Sequence, residues 1–105
     1  MHTLMELNII DNITQLIRQH MILFDAFDNV YLFGSILNVN KIPNDIDILL
    51  IYSKYSSKIT IELSFIRTAL EEISGLPVDL TVLSIEEEKD TEFLKKIYPI
   101  FLKLK

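Results

Sequence analysis

The chain has 105 residues, half of them hydrophobic, and a net charge of −5 at pH 7. This length suits one compact domain, so we expect a single domain over residues 1–105. The acidic balance argues against a domain that binds nucleic acid unaided, because phosphate contacts dominate such binding. The chain contains no cysteine, which excludes a disulfide framework and a thiolate metal site.

No apolar run approaches the ~20 residues that a membrane helix needs. The first residues, MHTLMELN, lack the basic region of a secretory signal. We therefore expect a cytoplasmic protein without a membrane partner. The high apolar fraction of so small a domain suggests that another protein, or a second copy of the chain, covers part of its surface.

The spacing of apolar residues predicts six elements in chain order. They are a helix from Leu4 to about Phe24, strands over Val30–Phe33 and Asp45–Tyr52, a helix over Ile59–Ser74, a strand over Val78–Leu83, and a helix that starts after Ser84 and runs past Leu94 until Pro99 interrupts or ends it. Gly75 should end the second helix, and Ser84 with Glu87 fits a capping box for the third. This order predicts an α/β (α+β) fold, a small mixed sheet of three or more strands flanked by helices.

Two carboxylates stand at the head of the second predicted strand. Asp45 and Asp47 are two residues apart, so on a strand they share one face, about 7 Å apart. Asp79 lies in the third predicted strand, and all three carboxylates converge if the two strands are neighbours. Such a cluster repels itself unless a cation intervenes, and a hard ion such as Mg²⁺ prefers oxygen ligands.

The first predicted strand ends at Gly34-Ser35. Glycine permits a close backbone approach, and a hydroxyl with backbone N–H groups after a strand suits phosphate oxygens. Carboxylates beside a phosphate-binding turn fit two-metal phosphoryl or nucleotidyl transfer. Each feature also has a structural interpretation, since acids can keep an edge strand soluble and Gly-Ser is a common turn. The combination favours chemistry, because these acids lie at or within apolar strands.

The motif of these residues resembles the nucleotidyltransferases of the polymerase-beta superfold. That family carries a hydrophobic residue, Gly and Gly or Ser, a gap, then Asp-hydrophobic-Asp, with a third acid on a later strand. Here the matching segments are Phe33-Gly34-Ser35, Asp45-Ile46-Asp47 and Val78-Asp79-Leu80. In size the chain is similar to the minimal nucleotidyltransferases, which include antitoxins that transfer AMP to a tyrosine of a partner HEPN-type toxin.

The resemblance implies a polymerase-beta-like fold and a catalytic role for each acid. Asp45 and Asp47 would bind two Mg²⁺ ions, with Mn²⁺ as a substitute, and Asp79 would bind one ion and help activate the acceptor hydroxyl. Gly34 and Ser35 would hold the triphosphate of ATP or another nucleoside triphosphate.

The chain departs from the family pattern after Gly34-Ser35. Many minimal members carry an arginine there, whereas this chain has Ile36-Leu37. Lys41 is the candidate to replace that charge.

Two candidate functions follow from this sequence. The first is an enzyme that transfers a nucleoside monophosphate to a hydroxyl of a macromolecule, as an antitoxin for a HEPN-type toxin. The alternative is an inactive module that neutralises or scaffolds a partner protein.

Overall fold

The computed structural model describes residues 2–38 and 42–105, with side chains described for residues 11–38 and 42–105. The helices are α1 (His2–Gln19), α2 (Ser57–Ser74), α3 (Ile85–Thr91) and α4 (Phe93–Ile97). The strands are β1 (Asn29–Phe33), β2 (Ile46–Tyr52), β3 (Val78–Ser84) and β4 (Phe101–Lys103). Two short 3-10 helices cover Met21–Phe24 and Ser35–Leu37.

The four strands form one mixed sheet in the order β3-β2-β1-β4. β1 pairs antiparallel with β2 on one side and with β4 on the other, and β2 pairs parallel with β3. The parallel pair is possible because α2 makes the crossover connection between its strands. The predicted mixed sheet flanked by helices is confirmed. Within the described ranges, no helix is long and apolar enough to cross a membrane.

The apolar strand β2 is buried on both faces, as its sequence IDILLIY requires. Ile46, Ile48 and Leu50 point to the main core, which α1 and α2 cover. Leu49 and Ile51 point to the opposite face, where residues of α3 and α4 pack. Alternate residues of one strand therefore serve two different layers.

The predicted capping residues are confirmed, whereas the bounds of the first and last helices differ from the prediction. Gly75 takes the left-handed conformation with φ 69° and ends α2, and Ser84 and Glu87 form both hydrogen bonds of the capping box. The first helix is shorter than predicted, because α1 ends at Gln19 and a 3-10 helix follows. The last predicted helix is divided at Glu92, which has a φ of 53°.

Candidate active site

Parallel pairing of β2 and β3 brings the three predicted acids together. Asp47 lies directly opposite Asp79 in the ladder, and Asp45 precedes Asp47 by two residues. All three side chains lie on the sheet face opposite the main core, because the neighbouring Ile46, Ile48 and Val78 point into that core. The strands thus place the acids at the same end of two adjacent strands.

One carboxylate oxygen from each of Asp45, Asp47 and Asp79 can be chosen so that all three lie within 4.8 Å of one another. Mg²⁺ holds oxygen ligands at about 2.0–2.1 Å, so two opposite ligands of one ion lie roughly 4.2 Å apart. Small side-chain rotations would therefore bring these oxygens to a divalent ion. The predicted convergence is confirmed, and the role of the acids as metal ligands stays a prediction.

Burial, together with the proximity of the other two acids, changes the protonation of Asp47. Partial burial, followed by repulsion from Asp45 and then from Asp79, raises the pKa of Asp47 from 3.8 to about 6. At neutral pH the site therefore holds clustered negative charge, and a divalent cation would offset this repulsion. The residues present fit a hard metal ion by their donor chemistry, their separation and their electrostatics.

Gly34 packs directly against Asp47. Its φ of 85° and ψ of −159° are rarely adopted by residues with a side chain. A Cβ atom at this position would also overlap the Asp47 carboxylate and lie 3.0 Å from its Cγ. Glycine is therefore required here both by the backbone conformation and by the carboxylate beside it. This contact joins the Gly-Ser turn to the acidic cluster.

Ser35 opens the short 3-10 helix that follows this turn. The turn is held by hydrogen bonds that the N–H groups of Leu37 and Asn38 donate to the carbonyls of Gly34 and Ser35, at 3.1 and 3.0 Å. Ser35 is partly exposed, so its hydroxyl can reach a ligand. These hydrogen bonds define the turn at the edge of the site.

A cleft of about 320 Å³ opens beside the turn. Its walls are Phe33, Gly34, Ser35, Asn38, Ile97 and Ile100. Sequence reasoning found the Gly-Ser wall and missed the others. Asn38 carried a weak signal as a polar loop residue close to Ser35. The two isoleucines carried none, because their position depends on how α4 and β4 pack.

The residues that replace the arginine of the family pattern serve mainly in packing. Ile36 is 2% exposed and belongs to the main core, and Leu37 packs against the same core. Lys41, the candidate for the missing charge, lies outside the described residues. Among the described residues that line the cleft, none is cationic.

Solved structures that share this fold include the following two. A protein from Sulfolobus solfataricus assigned as a nucleotidyltransferase is 19% identical, with a TM-score of 0.55 over 87% of this chain and 80% of the other. A structure of a tri-AMPylated HEPN toxin from Shewanella oneidensis in complex with MNT antitoxin also matches. There the identity is 22% and the TM-score 0.52, over 100% of this chain and 72% of the other.

No curated protein matches the sequence at a significant level. Residues 23–101 match the family model of the nucleotidyltransferase domain. This segment contains the Gly34-Ser35 turn, all three acids and every strand through the start of β4. The match spans well over half of the sequence and agrees with the fold of both solved structures, so the chain belongs to the nucleotidyltransferase domain family.

Proposed function

We propose that this protein is a metal-dependent nucleotidyltransferase that transfers a nucleoside monophosphate from a nucleoside triphosphate to a hydroxyl of a macromolecule. The observation that carries the proposal is the meeting of Asp45, Asp47 and Asp79 within 4.8 Å. Gly34 in contact with this cluster supplies the adjoining phosphate site. Membership of the nucleotidyltransferase family supports the reaction class.

The three acids have two roles in this proposal. Asp45 and Asp47 would hold two Mg²⁺ ions, and Asp79, the most exposed of the three, would hold one ion and face the acceptor. Bound divalent ions would supply charge neutralisation for the attacking and leaving oxygens. The carboxylate of Asp79 is also placed to accept a hydrogen bond from the acceptor hydroxyl and so to orient it for attack.

The Gly34-Ser35 turn binds the leaving part of the donor nucleotide. The Ser35 hydroxyl and the backbone of the turn contact phosphate oxygens, and the cleft beside them has room for more of the nucleotide. ATP is the proposed donor, with Lys41 as an additional phosphate contact.

The proposed acceptor is a tyrosine hydroxyl of a partner HEPN-type toxin, which this protein would neutralise by transfer of AMP. The fold similarity to a structure of MNT antitoxin with an AMPylated HEPN toxin supports this choice. We further propose that residues 1–105 act as one domain in the cytoplasm.

A second candidate is an inactive module of the same fold that neutralises its partner by binding alone. The observation in its favour is the absence of a cationic side chain among the described residues that line the cleft. Without such a side chain, a triphosphate bound in the cleft would rely on metal ions and on Lys41 for the neutralisation of its charge.

The decisive experiment combines the protein, Mg²⁺ and labelled ATP with a HEPN-type protein that co-purifies with it. We expect label on the partner with wild type and with Asp90→Asn, an exposed control on α3. We expect none with the double variant Asp45→Asn/Asp47→Asn. Full neutralisation of the partner by that double variant at a stoichiometric dose would refute catalysis and favour the binding module.

A further inference from the structure

Within the described residues, β3 is the last strand of the sheet, and no strand covers its outer edge. Backbone groups of a strand point alternately to its two sides. The Pro77 carbonyl, just before β3, accepts a hydrogen bond from the Ile46 N–H on β2 at 2.9 Å. Residues 77, 79, 81 and 83 therefore face β2, and residues 78, 80, 82 and 84 face outward.

Both ends of this outer edge are closed by side chains. The Val78 N–H donates to the Glu71 carboxylate at 3.2 Å, and the Val78 carbonyl accepts from Arg67 Nε at 3.4 Å. At the other end, the Ser84 N–H donates to Glu87 Oε1 at 2.9 Å. Hydrogen bonds from α2 and α3 thus satisfy the first and last outward residues.

The middle of the edge is open. The outward N–H and C=O groups of Leu80 and Val82 have no hydrogen-bond partner among the described residues. We call these four groups the open window. They have the ladder spacing that an extended peptide can pair with, as in recognition by strand addition. The capped ends limit the added strand to a few residues.

The open window lies beside the exposed carboxylate of the site. Asp79 directly precedes Leu80, and its side chain stands on the face that carries the acids. A residue placed opposite Asp79 on an added strand would point to the same face. In antiparallel pairing its Cα would lie about 4.5 Å from that of Asp79, because the two would form a non-hydrogen-bonded pair.

The direction from which the acceptor hydroxyl must attack agrees with the position of the open window. The phosphate-binding turn follows β1, on one side of the acids, and β3 lies on the other side. In-line displacement places the attacking oxygen opposite the leaving group. The acceptor hydroxyl should therefore approach from the β3 side, where the open window lies.

We propose that the open window binds the acceptor segment of the protein substrate as a short added strand, with its hydroxyl-bearing residue opposite Asp79. This inference rests on the proposed function and specifies the form of its substrate. In the transfer, the acceptor oxygen forms a bond to the α-phosphorus of ATP, the bond to pyrophosphate breaks, and the hydroxyl proton leaves to solvent. The residue of the segment that pairs with Leu80 should be apolar, because its side chain would lie beside the partly buried side chain of Leu80.

The test uses a peptide probe, acetyl-Thr-Val-Tyr-Val-Thr-amide, and a matched probe with N-methylated valines that cannot form the ladder. Leu80→Pro removes one outward N–H without breaking the ladder to β2, since proline is tolerated on an outer edge. Leu80→Ala is the matched reference for this variant, because it also loses the leucine side chain but retains the N–H. Thermal melting verifies that both variants fold.

With Mg²⁺ and ATP, wild type should label the tyrosine, and Leu80→Ala sets the labelling expected after loss of the side-chain contact alone. Leu80→Pro should label the tyrosine about tenfold less than Leu80→Ala, or less still. With wild type, the N-methylated probe should be labelled about tenfold less than the unmodified probe, or less still. Equal labelling by Leu80→Pro and Leu80→Ala would overturn the inference while the proposed function stands.

Amide exchange separates the two proposals when no label appears. Millimolar peptide should slow exchange at Leu80 and Val82, and the N-methylated probe should not. Protection without labelling would count against transfer and support the open window. Absence of protection would overturn the inference. Protection that appears without peptide and grows with protein concentration would also overturn it, because a second copy of the chain would then cover the edge.

Discussion

Replacement of Asp47 by asparagine should stabilise the metal-free protein. The raised pKa of this carboxyl means that its ionised form is less favourable in the folded state than in the unfolded chain. A rise from 3.8 to about 6 would correspond to about 3 kcal/mol if the whole difference acted on folding. Asp47 is only partly buried, so solvent screening reduces this, and we expect a gain of about 1 kcal/mol.

The pH dependence fixes the sign of this effect. Above pH 6 the carboxyl is ionised in both states, so wild type carries the full penalty and Asp47→Asn does not. Between pH 6 and 3.8 the folded wild type takes up a proton, and its stability approaches that of the variant. Below pH 3.8 the two proteins should be equally stable with respect to this group.

The assay is thermal unfolding at pH 8 and pH 4, with EDTA present. The expected difference of about 1 kcal/mol at pH 8 equals a shift of roughly 4 °C or more in the melting temperature of a domain of this size. Asp90→Asn, which changes an exposed acid of α3, is the control for the loss of one negative charge. A variant less stable than wild type at pH 8, or a difference that persists at pH 4, would refute the electrostatic argument.

Four further predictions concern the site and its support. Mg²⁺ at about 100 times its Kd should stabilise wild type by about 2.7 kcal/mol in a melting experiment, and an equal gain for Asp47→Asn would exclude this carboxylate as a ligand. Gly34→Ala should destabilise the protein by about 1–3 kcal/mol or more through its overlap with Asp47. Gly75→Ala is its control and should destabilise the protein by about 1 kcal/mol, because the space around Gly75 is open. Equal destabilisation by the two substitutions would contradict the contact between Gly34 and Asp47. Ser84→Ala should cost about 1 kcal/mol in urea unfolding, whereas Ser56→Ala should be near neutral because Ser56 makes no side-chain cap bond. Glu62→Ala should cost about 1–3 kcal/mol, because the buried Glu62 accepts from the Ala26 N–H at 3.3 Å. Glu72→Ala, an exposed change on the same helix, is its control, and similar stability of the two variants would contradict the role of Glu62.

The features that the sequence predicts correctly depend mostly on residues that are close to one another in the chain. The acids Asp45 and Asp47 and the apolar residues between them have period-two spacing, which fixes the faces of β2 once it is known to be a strand. The capping box at Ser84 and the glycine at position 75 depend on residues close in sequence. The convergence with Asp79 needed one further assumption, that the second and third strands are neighbours, and the parallel pairing satisfies it.

Features that depend on distant packing could not be predicted. β4 has three residues after a proline, too few for a strand pattern, and it forms because the edge of β1 is available. Glu62 lies on the buried face of α2 because it satisfies the Ala26 N–H across the fold. Helical spacing places Ile73 in the stripe of Leu70 and Ile66, yet Ile73 is 54% exposed and lines an open pocket beside α1.

The alternation along β2 has a consequence for how such a protein can evolve. Ile46, Ile48 and Leu50 specify the main core, whereas Asp45 and Asp47 contribute nothing to it. Substitution of either acid therefore leaves unchanged the apolar residues that fix β2 in the core. A lineage that relied on partner binding alone could lose catalysis in a single step and retain its fold. Active enzymes and inactive binding proteins of this type are thus close neighbours in sequence space, and a family match alone does not separate them.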